Sequence, residues 1–176
     1  MQDVNVLVAF WSRTGATEKL GLAAALGAVQ ARANIRLRWL REDVDARALA
    51  EFPGWRENRE RMDREYVPPR EADLAWADAL IMGAPARAKL PGPEFQSCFE
   101  LLRAVQVKGQ LRCRVGAAVI SGAGPNDSAL PTIYASLAVV GMILVPPPFG
   151  SVADAVQAAR AHGRRVTEVA RALKGL

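Results

Sequence analysis

Histidine occurs once in this chain of 176 residues and cysteine twice. Histidine-centred hydrolysis therefore has one candidate, His162, which stands in a polar run of the last expected helix and reads as a solvated helix residue. Cys98 and Cys113 make no CxxC pair and have no nearby histidine, so a structural zinc site fails on ligand count. A disulfide between them does not suit a reducing compartment, and both read as plain core or near-core residues. Aromatics are sparse at 6%, and no apolar run approaches the ~20 residues of a membrane span. Asp3 stands where a signal peptide would carry positive charge, which points to the cytoplasm. The net charge of +5 suits steering of anionic substrates. Its arginines are scattered among acids, without aromatic interleaving, which argues against a nucleic-acid partner.

What is present is an alternation of apolar runs with amphipathic stretches, in a chain whose length fits one domain, residues 1–176. Five strands are expected: Val4 to Phe10, Ile35 to Leu40, Ala79 to Gly83, Val115 to Ser121 and Met142 to Val145. The second alternates apolar and charged residues, as an edge strand with one wet face would. Helices are expected near Ala16 to Ala33, Pro93 to Val105, Ser128 to Val140 and Val152 to Leu173, with at best a short one over Glu71 to Ala77. Residues 42–70, dense in charge and bounded by Pro-Gly and Pro-Pro, read either as a solvated helix plus loop or as a lid or oligomer contact. These elements and the right-handed crossover rule give an α/β three-layer sandwich with a parallel sheet in the order 2-1-3-4-5. Ligands on such sheets sit beyond the carboxyl ends of strands 1, 3 and 4.

The first of those ends runs Phe10-Trp11-Ser12-Arg13-Thr14-Gly15-Ala16-Thr17-Glu18-Lys19. Hydroxyls at Ser12, Thr14 and Thr17, a glycine for a close turn, and the amides of a starting helix make a cradle for a phosphate. An ordinary helix cap would account for one of those hydroxyls. No lysine followed by Ser or Thr comes after a glycine, which argues against a nucleoside triphosphate loop. The second end carries Gly83-Ala84-Pro85-Ala86-Arg87-Ala88-Lys89, and the third Ser121-Gly122-Ala123-Gly124-Pro125-Asn126-Asp127. Small residues and prolines let stiff loops approach a flat ring.

The Ser-x-Thr-Gly-x-Thr spacing resembles the FMN-phosphate loop of flavodoxins and their oxidoreductase relatives. Residues 77–87, Ala-Asp-Ala-Leu-Ile-Met-Gly-Ala-Pro-Ala-Arg, are similar to the "ADAIIFGTPTR" of the WrbA-type NAD(P)H:quinone oxidoreductases, within the flavodoxin-like superfamily that also holds the NADPH-dependent FMN reductases. Ser136-Leu137-Ala138 and Gly141-Met142-Ile143-Leu144-Val145-Pro146 match the same family's fourth helix and fifth strand. The resemblance covers about residues 4 to 150 and implies a flavodoxin-like fold, bound FMN, NAD(P)H as donor, a quinone-like acceptor, and a homodimer or homotetramer. It implies that Ser12, Arg13, Thr14, Gly15, Ala16 and Thr17 hold the phosphate. Pro85, Ala86, Arg87 and Ala88 would line one side of the ring, and Ser121, Gly122, Ala123, Gly124 and Asn126 the other. The flavin carries the chemistry, so no side chain is expected to be catalytic.

Four departures fall around the ring and substrate. Ala88 and Lys89 replace an aromatic and a glycine, and Val139-Val140 replace a histidine. The stretch Val105 to Arg114 lacks an aromatic, and Phe149-Gly150 leads almost directly into the last helix. Two rival readings stay open beside the two-electron enzyme: a one-electron carrier, and a binding or assembly protein that has lost flavin turnover.

Overall fold

A computed structural model describes residues 3–41, 53–86, 93–122, 128–147 and 154–175. Its five strands are β1 (Val4–Phe10), β2 (Ala33–Trp39), β3 (Ala79–Pro85), β4 (Val115–Ser121) and β5 (Ile143–Leu144). Its helices are α1 (Ala16–Gln30), α2 (Pro53–Glu65), α3 (Glu71–Trp76), α4 (Pro93–Val107), α5 (Ala129–Val139) and α6 (Ala155–Lys174). All strand pairs are parallel and the order is β2-β1-β3-β4-β5, as expected.

The three central strands are built from Val, Leu, Ile and Ala because both of their faces are covered. On one face Val6, Val8, Phe10, Ile81 and Val119 meet Ala24, Ala28, Val166 and Ala170 of α1 and α6. On the other, Leu7, Leu80 and Met82 meet Phe95, Cys98, Leu102, Ile133 and Leu137 of α4 and α5. Phe10 is in register with Gly83, and Pro85 with Ser121, so the three loops of interest leave one edge of the sheet together.

Four expectations need correction. His162 is 1% exposed on the inner side of α6, not solvated, and neither ring nitrogen has a hydrogen-bond partner among the described residues. Cys98 is buried, but Cys113 is exposed, in the turn before β4 with φ 62°. The arginines of β2 do not face water alone. Arg36 and Arg38 both donate to the buried carboxylate of Asp73 on α3, at 3.0 and 2.8 Å, and Arg36 also stacks on Trp76. Finally, β5 has two residues rather than four.

Beyond that short strand a side chain completes the sheet edge. The Tyr134 hydroxyl accepts from the Ala118 amide at 3.2 Å and donates to the Val145 carbonyl at 2.8 Å, bridging β4 to the chain after β5. Tyr134→Phe removes both bonds at once, so an unfolding free energy lower by about 2 kcal/mol is expected in urea titrations. A loss below about 0.5 kcal/mol would mean that water replaces the hydroxyl there.

Candidate functional site

The loop after β1 is fixed at its root by its neighbours. The Trp11 amide donates to the Gly83 carbonyl at 3.0 Å, and the Ala86 amide to the Ser121 carbonyl at 2.9 Å. Gly15 takes φ 85°, a left-handed turn that glycine makes without a Cβ penalty, and α1 begins at the next residue. The first intrahelical bond runs from the Lys19 amide to the Gly15 carbonyl at 3.0 Å. The amides of Ala16, Thr17 and Glu18 precede it, which puts the positive end of α1 at this turn.

The three hydroxyls of the loop do different jobs. Ser12 is buried and its Oγ accepts from the Gly15 amide at 3.0 Å, closing the turn on itself. Thr17 is also buried, and its hydroxyl meets that of Ser121 at 2.8 Å, tying the first loop to the third. Thr14 is exposed at the turn, together with Arg13 and Ala16. Ser12 to Thr17, Pro85, Ala86, Ser121 and Gly122 are thus brought to one sheet edge. Arg87, Ala88, Ala123, Gly124 and Asn126 lie outside the described residues.

Sequence reasoning allowed a solvated helix within residues 42–70 but missed that it packs against this loop. The helix α2, within the charged stretch 42–70, buries Met62 completely and sets Tyr66, just past its end, edge-on to Phe10 at 5.1 Å. Its Asn58 amide donates to the carbonyls of Arg13 at 3.0 Å and Ser12 at 3.4 Å. The Arg13 guanidinium stacks over Trp55 at 4.1 Å and Trp11 at 5.0 Å. Arg61 donates to both oxygens of Glu18, at 2.9 and 2.5 Å, and the Tyr66 hydroxyl adds a third bond at 2.8 Å. Burial by itself would raise the Glu18 carboxyl, but the hydrogen bonds from Arg61 and Tyr66 and the Arg61 charge hold it below its ordinary range. Burial and the bond to Glu18 push the Tyr66 phenol upward.

This geometry suits an anion at the start of α1. Amides, one exposed hydroxyl and a helix dipole converge on one turn. Among the described residues no group of His, Cys, Asp and Glu could hold a metal ion, and no helix is long and apolar enough to cross a membrane.

No family model matches the sequence. An NAD(P)H dehydrogenase (quinone) of Archaeoglobus fulgidus is 29% identical over 189 residues, covering 96% of this chain and 98% of that protein. The protein of the same name from Azorhizobium caulinodans is 30% identical over 150 residues, covering 82% and 71%. Among solved structures, a WrbA-like flavodoxin from Agrobacterium tumefaciens superposes with a TM-score of 0.64 at 21% identity, over 96% of this chain and 98% of that one. A flavodoxin from the domain Archaea gives 0.62 at 15% identity, over 96% and 99%. The two structures share the fold seen here.

Proposed function

This chain belongs to the NAD(P)H dehydrogenase (quinone) family, and from that premise we propose that it is an FMN-binding flavoprotein passing two electrons from NAD(P)H to a quinone-like acceptor. The observation that carries the reading is that the roots of the three loops leave one sheet edge together, the first and third joined by the bond between Thr17 and Ser121. When bound, FMN supplies hydride chemistry between a nicotinamide and an acceptor. The chain's own residues bind and orient. The Thr14 hydroxyl and the first amides of α1 would hold the phosphate, while Ser12 closes the turn and Thr17 ties it to Ser121. Pro85 and Ala86, with Arg87 and Ala88 after them in the chain, would line one side of the ring, and the segment from Ser121 to Asn126 the other. Arg87 would supply a cation to offset the negative charge of a reduced flavin, which would favour paired over single electrons. A homodimer or homotetramer in the cytoplasm completes the proposal.

Thr14→Val tests it. The variant should bind FMN about tenfold to hundredfold more weakly than the parent, since a hydrogen bond to a charged group is lost. Riboflavin, which lacks the phosphate, should bind within about twofold of the parent value. Fluorescence titration reads both. Equal losses for the two flavins would remove the loop as the phosphate site. A purified protein that takes up no flavin would support a binding or assembly role instead, and a long-lived blue semiquinone on stepwise reduction would support a one-electron carrier.

A further inference from the structure

Glu18 poses a problem that α2 and the Tyr66 just beyond it resolve. It occupies the first turn of α1, is 7% exposed, and its Oε2 lies 3.7 Å from where a side chain on Gly15 would begin. An ionised carboxylate at that position opposes any anion placed on the same turn, because it spends the positive end of the helix and repels a like charge over a few ångströms. Arg61 answers both oxygens of that carboxylate with its two terminal nitrogens, one of which also reaches the more exposed Glu65 at 2.6 Å. The same guanidinium donates to Asn58 Oδ1 at 2.8 Å, which leaves the Asn58 amide to hold the Ser12 and Arg13 carbonyls. In a trans peptide the N–H points opposite the C=O, so fixing those carbonyls toward α2 turns the Arg13 and Thr14 amides away from it.

We propose that Arg61 is a positioning residue which makes the loop 12–17 competent for a doubly charged phosphate monoester, by cancelling Glu18 and by orienting Asn58. The proposal rests on the reading of that loop as the FMN-phosphate site. Arg61 acts through Glu18 and the loop backbone, without touching the ligand. The helix that carries it is therefore part of the cofactor site, and selectivity for a phosphorylated over an unphosphorylated flavin depends on it.

The test compares FMN and riboflavin binding by fluorescence quenching in the parent, Arg61→Gln, Glu18→Gln and the double variant, with circular dichroism melts on each. If the parent does not prefer FMN to riboflavin, the phosphate reading itself falls and this proposal with it. If it does, Arg61→Gln should weaken FMN about tenfold to hundredfold and riboflavin less than about threefold. Adding Glu18→Gln to that variant should restore FMN to within about fivefold of the parent, because the uncancelled charge is gone. A double variant as weak as Arg61→Gln alone would overturn the proposal, since Arg61 would then be touching phosphate itself. Losses equal for both flavins would also overturn it, as they would reduce Arg61 to a support for the fold. Should Arg61→Gln fail to fold, Glu18→Gln alone decides: FMN binding as tight as the parent or tighter supports the proposal, and weaker FMN binding with riboflavin unchanged overturns it.

Discussion

Alanine at Gly163 or at Gly27 is expected to cost the fold about 3 kcal/mol or more, although alanine is the better helix former by about 1 kcal/mol. The helices α1 and α6 make the most extensive helix contact among the described residues. They cross where their backbones touch. A Cβ on Gly163 would lie 2.9 Å from Ala24 Cα and overlap the Ala24 carbonyl oxygen outright. A Cβ on Gly27 would lie 2.8 Å from the Arg160 carbonyl carbon, again overlapping its oxygen. Both obstacles are backbone, which cannot rotate away as a side chain could, so the helices must separate and lose the dispersion contacts between them. Gly54 provides the contrast, since its Cβ would meet no described residue within 4 Å. Gly54→Ala should be neutral or stabilising by about 0.5 kcal/mol. Because Gly27 and Gly163 serve one crossing, the double alanine variant should cost less than the sum of the singles. Urea unfolding measures all four. Additive losses, or losses under about 1 kcal/mol, would mean that the crossing is not the tight point it looks to be.

Much of the fold was legible because both-face burial leaves a plain signature. Runs such as Val4 to Phe10 and Val115 to Ser121 can hide their backbones only in the middle of a covered parallel sheet, and the strand order followed from the crossover rule. The loop 12–17 was legible as a site for a related reason: its hydroxyls and glycine sit where a strand feeds a helix. The division of labour inside it was not. Spacing cannot say that Ser12 closes its own turn or that Thr17 faces Ser121, 104 positions away.

The larger omission was the packing of α2 against the loop. Residues 54–65 are so dense in Arg and Glu that they read as solvated, yet Trp55, Met62 and Tyr66 are the apolar handles by which this helix meets the loop. Each charge taken alone looked like a surface charge. Arg61 ceased to be one only once Glu18 was seen to be buried against it. Arg36 and Arg38 repeat the point, since a period of two says which residues share a face and not that Asp73 waits on it.

His162 shows the converse, a residue whose type misled where its spacing did not. It belongs to the buried stripe Ala159, His162, Gly163, Val166, Thr167 and Ala170, which has the period of an inward helix face. Burial first, then the nearby charge of Arg165, push its imidazole down to about 4 from the ordinary 6.5. The Ala118 backbone pulls weakly the other way, without a hydrogen bond of proper geometry to either ring nitrogen. The native state therefore holds His162 neutral, while the unfolded chain accepts a proton from about pH 6.5 downward. A proton bound preferentially by the unfolded state lowers stability as pH falls, so the contribution of His162 is intact above pH 6.5 and is lost on the way to about pH 4. The full loss amounts to about 3 kcal/mol. The lowered carboxyls of Glu18 and Asp73 add their own loss, but only below their unfolded values of 4.5 and 3.8. Unfolding curves between pH 7.5 and 4.5 thus isolate the histidine. His162→Leu should flatten the slope in that window while leaving stability at pH 7.5 within about 1 kcal/mol of the parent, since an unpaired buried N–H is removed along with some packing. A variant whose stability falls with acid as steeply as the parent's would show that some other group carries the transition, and that the imidazole is already solvated in the native protein.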